Sequence, residues 1–397
     1  MENQIKKSLS DFIDTKKSEL SEMSDKIFDL KEVSFEEYKT STLIETYLEK
    51  NGFSVERGIG DLPTAFRAIY EHGSGGISIG LLCEYDALKS LGHGCAHHMQ
   101  APGILGAACA LKNCLTNTDY PYKIVVYGTP GEETSGGKKI MLKNGCFKDI
   151  DIALMIHGGN STQTDVKSMA LVSAHVTFHG ITSHAAISPE KGRSALDAMI
   201  LSFNGTEFLR EHVKDDTRIH YTVANVPGSA NAVPSEAEAD FDLRSYNSIY
   251  LDEVVHRFEN VIRGASIMTG TQYEIQYGER FESKIPARKL NEVIMNNARL
   301  VHAPTIRPSR EKTGSTDFGN VTFSVPGTCL RIAFVPEGTP SHSLEFVNAG
   351  KSETAHEAIV LAAKIIAMSS FDLISSNTLV NQIKEEFQKN KKAMEEL

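Results

Sequence analysis

The stretch ISIGLLCEYDALKSLGHGCAHHMQAPGILGAACAL, residues 77–111, carries the reading of the fold. A short apolar run comes first, then a polar segment dense in Glu, Asp, His and Cys. An Ala-rich helical stretch from Ala101 to Leu111 follows, apolar on most faces. Outward from it lie three comparable runs, TAFRAIY (64–70), KIVVYGT (123–129) and IALMIH (152–157), each bounded by Gly, Pro or charge. The chain up to about Gly52 reads as helix, and helical stretches separate several of the strands. Nearly continuous apolar strands alternating with helices predict an α/β fold with a mostly parallel central sheet, covered on both faces.

The texture changes near Lys167. MALVSAHVTFHG (169–180) alternates apolar with small or polar residues, as a half-exposed strand does. A helical run (194–213), IHYTVANV, AEADFDLRS, a second helix (249–264) and YEIQYG follow. The order β-α-β-β-α-β predicts an inserted ferredoxin-like α+β domain over 168–284, with 1–167 and 285–397 forming one discontinuous domain.

With 41% hydrophobic and 23% charged residues, the chain has the balance of a globular protein. A net charge of -10 without a basic cluster argues against nucleic-acid or anionic-membrane partners. The N-terminus lacks the apolar core of a signal peptide, and no run of about 18 apolar residues stands out anywhere, so a spanning helix is not expected. Six scattered cysteines do not form a disulfide framework, so a reducing, cytoplasmic setting is expected.

Four constellations carry chemistry, each just after an apolar strand. The first is Glu84-Tyr85-Asp86-Ala87-Leu88 with His93-Gly94-Cys95-Ala96-His97-His98. Cys95 and His97 are two residues apart in a turn, and a thiolate with an imidazole suits zinc or a similar ion. The second, Gly128 to Glu133, ends in adjacent carboxylates. Each raises the other's pKa unless a metal takes one and leaves its neighbour as a base. The third is His157 and the fourth is His342. A single histidine or a Glu-Glu pair is most often an ordinary polar residue. Five candidates at one sheet edge (Cys95, His97, Glu133, His157 and His342) are too many for one catalytic zinc. They suit two ions about 3.5–4 Å apart that activate a water.

With these motifs in this order, the chain resembles the amidohydrolase branch, subfamily D, of metallopeptidase family twenty. Within it the likeness runs to aminoacylases, p-aminobenzoyl-glutamate hydrolases and HmrA-like bacterial proteins, over nearly the whole chain. That resemblance implies a zinc-peptidase-like catalytic domain with an inserted lid and dimerisation domain. It makes Cys95, His97, Glu133, His157 and His342 the metal ligands, Glu132 the general base and Asp86 a partner behind the ligands. His184, in Ser183-His184-Ala185-Ala186, matches a lid histidine that in relatives enters the neighbouring subunit's site as oxyanion donor. Asn231 and Arg244 become candidate substrate clamps. The implied cofactors are two divalent ions, zinc first, with manganese or cobalt as alternatives. The implied assembly is a homodimer through the lid, extendable to a tetramer. The implied reaction is cleavage of an N-acyl amino acid, short dipeptide or related conjugate by a metal-activated water. Two alternatives stay open, a metal-binding regulatory protein without catalysis and a cysteine-nucleophile amidase using Cys95. The chain departs from the family at Ala96 (usually Gly), His98 (Asp or Asn), Gly131 (Ala) and Thr316 (Glu).

Overall fold

The structure is a computed structural model that describes residues 2–225 and 228–396. Two compact units emerge, one from 1–167 and 285–391, the other from 168–284 and 392–397.

The first unit opens with helices α1 (Glu2–Thr15), α2 (Lys17–Leu30) and α3 (Tyr38–Lys50). Strands β1 (Ser54–Arg57), β2 (Phe66–His72) and β3 (Ile77–Cys83) lead to α4 (Gln100–Leu115). Then come β4 (Tyr122–Gly128), α5 (Gly137–Lys143), β5 (Ile152–Gly159) and the two-residue β6 (Gln163–Thr164).

The second unit contributes β7 (Ala170–His179), α6 (Ala195–Arg210), β8 (Arg218–Val223), β9 (Glu236–Ser245), α7 (Ser248–Thr269) and β10 (Gln272–Tyr277). Its sheet order is β10-β7-β9-β8, antiparallel throughout. Strand β7 alternates buried and half-buried residues along its whole length. Val172, Ala174, Val176 and Phe178 therefore pack under the helices against Met199, Val254, Phe258 and Ile262. Both helices start on side-chain caps, Ser194 accepting from the Asp197 N–H and Asn247 from those of Ile249 and Tyr250.

The chain then re-enters the first unit as α8 (Arg288–Leu300), α9 (Phe318–Ser324), β11 (Gly327–Ala333), α10 (Leu344–Asn348), α11 (Glu353–Ser375) and α12 (Asn377–Glu395). The seven-stranded order is β1-β2-β4-β3-β5-β11-β6. This sheet is mixed rather than mostly parallel. The core β4-β3-β5-β11 is parallel, whereas β1, β2 and β6 add antiparallel edges. Apolar texture does not report strand direction, so β2 looks like the central strands, whereas β1 is largely exposed and β6 only two residues long. All seven residues of β3 are buried, as a central strand requires. The chain runs from β3 to β4 on one side and crosses to β5 on the other, so the strand order reverses at β3. Open α/β sheets bind their ligands at such a switch point, outside the carboxyl ends of the strands.

Helix α11 corrects a second expectation. It is long and apolar enough to cross a membrane, yet 78% of its apolar window is buried inside the protein. It packs on α4 through small residues. A Cβ at Gly106 would come within 3.1 Å of the Ala363 Cβ and 2.8 Å of Leu20. A helix apolar on every face needs cover on every face, and here α4, α1, α2 and α8 provide it.

Candidate metal centre

All four constellations converge at the carboxyl ends of β3, β4, β5 and β11. After β3, Gln100 grips Glu84 twice, accepting the Glu84 N–H at Oε1 (3.0 Å) and donating Nε2 to Glu84 Oε2 (2.7 Å). The turn from Gly94 to His97 is tight, and Ala96 sits in the left-handed region at φ +59°. An L-residue pays about 1–2 kcal/mol for that conformation, which is why glycine suits the position. His342 is also left-handed, at φ +61°, and its N–H is fixed on the Gly94 carbonyl at 3.1 Å. Two such residues at one site are the kind of local strain that functional sites retain.

His97 Nδ1 faces two acceptors of Asp86, the carbonyl at 3.0 Å and Oδ1 at 3.1 Å. In the neutral ring the proton therefore sits on Nδ1, leaving the Nε2 lone pair toward Glu84 and Glu133. The same logic applies to His157, whose Nδ1 donates to the Gly158 carbonyl at 2.7 Å. Asp86 Oδ2 accepts from the Glu133 N–H (2.9 Å) and the Ser34 hydroxyl (2.8 Å), so one carboxylate braces two donor-bearing segments.

The donor atoms fall into overlapping groups. Cys95, His97 and Glu133 form one and Glu84, His97 and His157 another, each with all atoms within 4.8 Å of one another. His342 Nε2 reaches Cys95 Sγ at 2.6 Å, which ties the fifth candidate to the first group. His97 Nε2 lies 3.2 Å from Glu84 Oε2 and 3.9 Å from Glu133 Oε1. Neither His97 Nε2 nor Glu133 Oε1 has a hydrogen-bond partner although both are buried. Orphaned buried polar atoms are costly. Two of them facing each other among a thiol, imidazoles and carboxylates fit divalent cations.

Electrostatics point the same way. Burial opposes charge on His97, but Glu84, Asp86 and Glu133 outweigh it and carry the imidazole up to about 10. Burial, Glu133 and Glu132 push the Cys95 thiol far above its usual range. A nucleophilic cysteine needs an electropositive setting, so this environment disfavours the cysteine-amidase alternative. A coordinated cation deprotonates a thiol outright. Burial, followed by Arg331 and His97, lowers His157 to about 3, keeping it neutral and able to ligate. Glu132 keeps part of its surface accessible and accepts from the Thr316 hydroxyl at Oε1 (3.1 Å). Burial, Glu84 and Asp317 raise its carboxyl to about 8.

The turn presenting Glu132 explains one departure. Gly131 has φ +70°, and a Cβ there would lie 2.4 Å from the Phe35 ring. Its N–H donates to Glu37 Oε1 (2.9 Å), while Thr64 donates to Glu37 Oε2 (2.9 Å). Glu37 is fully buried, and burial raises it from 4.5 to about 7. Its neutral form favours the folded state, so that contribution is complete below pH 4.5 and lost as pH rises through 7. Urea melts of the metal-loaded protein should show wild type losing up to about 3 kcal/mol relative to Glu37→Gln across that window. Parallel stability curves for the two proteins would refute this.

Residues outside the expected set join the site. Glu84 enters a donor group, and Lys138 and Asp317 stand beside it with side chains 0% exposed. His98 does not join. It is buried edge-on against Phe28, and its Nε2 meets the Gly350 carbonyl at 2.9 Å. His184, Asn231 and Arg244 belong to the second unit. There the Ala185 N–H donates to the Asn231 carbonyl (3.0 Å), His184 is exposed, and Arg244 pairs with Asp242 at 3.1 Å.

A model described as peptidase family M20/M25/M40 matches residues 85–366. The chain belongs to that family. One of the p-aminobenzoyl-glutamate hydrolase polypeptides of Escherichia coli K12 is 29% identical, covering 97% of this chain and 95% of the relative. The human Xaa-Arg dipeptidase is also 29% identical, covering 94% and 90%. A Bacillus subtilis dinuclear metal-binding M20 peptidase superposes with a TM-score of 0.71 at 17% identity, covering 91% and 99%. Together with the donor groups, membership makes this M20 chain a metal-dependent hydrolase with an amidohydrolase-like site for divalent ions.

Proposed function

We propose that this M20 hydrolase, of the subfamily D and HmrA-like type, cleaves the amide bond of N-acyl amino acids, short dipeptides or related aminoacyl conjugates. The observation that carries the reading is Glu132. It is a carboxylate of raised proton affinity beside the donor groups, with the Thr316 hydroxyl on one oxygen. Two divalent ions, when bound, supply Lewis acidity toward the scissile carbonyl and acidify water. Cys95, His97, Glu133, His157 and His342 hold them, with zinc favoured by the thiolate and manganese or cobalt as alternatives. Asp86 fixes the His97 tautomer. Glu132 takes the proton of the attacking water at a carboxylate oxygen and returns it to the departing amine nitrogen.

The second unit acts in this reading as a ferredoxin-like lid and dimerisation domain, supported by its β-α-β-β-α-β order and antiparallel sheet. Strand β8 is an open edge, and Phe208 on α6 is 75% exposed, a surface suited to a second copy of the chain. Exposed His184 would donate to the developing oxyanion across that dimer. Asn231 and Arg244 would grip the substrate carboxylate. The substrates after which the two relatives are called, p-aminobenzoyl-glutamate and Xaa-Arg dipeptides, head the compounds to try. Purified, metal-replete protein is expected to hydrolyse members of an N-acyl amino acid and dipeptide panel. Failure to release amine from any of them, with metals verified by elemental analysis, would end the proposal.

A further inference from the structure

Glu84, Glu132 and Asp317 bring carboxylate oxygens within 4.8 Å of one another, in a group distinct from the two that contain His97. Lys138, in the first turn of α5, enters this group with its side chain 0% exposed. Its Nζ stands 2.6 Å from Glu84 Oε1 and 2.7 Å from Asp317 Oδ1, and its N–H meets Asp317 Oδ2 at 3.0 Å. A buried ammonium is tolerated only when paired and hydrogen-bonded, and here both partners are carboxylates. Burial works against its charge, but Asp317 and Glu84 hold it above the ordinary lysine range. Glu84 joins this group to the metal donors, because its other oxygen receives Gln100 and lies 3.2 Å from His97 Nε2.

Three clustered carboxylates offer a hard divalent cation an all-oxygen site. An ion there would claim Glu84 from its neighbours and draw Glu132 into ligation. An ammonium at the same place neutralises charge through hydrogen bonds and leaves Glu132 free to exchange a proton.

We propose that Lys138 is a positioning residue whose ammonium fills a third cation position, confining divalent ions to the donors gathered around His97. The proposal rests on the two-ion reading above. Stripped protein reloaded with Mn²⁺ should hold two ions per chain by elemental analysis and titration calorimetry, and Lys138→Arg should also hold two. Lys138→Ala should take up a third, and added methylammonium, a cation shaped like the missing side-chain end, should return the count to two. If Lys138→Ala does not fold, Lys138→Gln, which keeps most of the volume without the charge, carries the same expectation. A count of two in the neutral variant, at wild-type affinity and insensitive to methylammonium, overturns the proposal. A wild type that binds no ion overturns the two-ion reading instead.

Discussion

Glu132→Gln should lose about 10²–10⁴-fold in kcat, the usual worth of a positioned general base, while retaining its full metal content. The substitution keeps an oxygen to accept from the Thr316 hydroxyl, which lies 3.1 Å away, so the local geometry should survive. It removes a charge that burial, Glu84 and Asp317 all oppose, so the variant should melt at or above the wild-type temperature. Loss of turnover with metal and stability intact separates proton transfer from scaffolding. Turnover within about threefold of wild type, far short of the loss a general base should cause, would remove Glu132 from the chemistry. A wild type inert on every amide would instead favour a metal-binding protein without catalysis.

Chelation should produce the second large effect, abolishing activity and lowering the melting temperature by about 10 °C or more. A ligand present at a thousand times its dissociation constant stabilises by about 4 kcal/mol per site, and each kcal/mol is worth about 2–4 °C in a domain of roughly this size. The loss should grow with pH. Without cations, His97 is carried from 6.5 to about 10 and Glu132 from 4.5 to about 8. Both folded values are raised, so both contributions are present at low pH and disappear as pH climbs through 8 and then 10. The melting difference between loaded and stripped protein should therefore widen from pH 6 to pH 9 and close on adding back Zn²⁺, Mn²⁺ or Co²⁺. A stripped protein that melts with the loaded one across that range would show that cations do not bind this pocket.

Glu133 and His157 are legible in the sequence because they stand near the ends of apolar strands, and Cys95 and His97 because three histidines and a cysteine crowd six residues of the segment after β3. His342 is harder to see, since only its 2.6 Å approach to Cys95, 247 positions earlier, ties it to the others. Lys138 gives no signal. A lysine opening a short helix is ordinarily a solvated residue, and only its distance to Asp317, 179 positions later, reveals otherwise. Asp317 stands in a motif that draws attention through Thr316, and Glu84 beside the more conspicuous Asp86. The antiparallel direction of β2 is hidden because apolar texture is silent on direction, and β1 and β6 give no apolar signal, one being largely exposed and the other two residues long. Helix α11 escapes notice as an apolar span because Lys364 interrupts it, although Ala362, Ala363, Ile365 and Ile366 around that lysine are all buried.

Strand β11 lies between β5 and β6, which precede it by well over a hundred residues, and β6 has no other neighbour in the sheet. During synthesis the ribosome must therefore deliver the whole 168–284 segment before β5 gains its second partner. Until then β5 presents an unpaired apolar edge, and the thiol of Cys95 waits for His342. Nascent chains halted before about residue 342 should be unable to mature and should tend to self-associate along that edge. Late closure of this gap, rather than formation of any single helix, is then expected to set how fast newly made protein becomes competent.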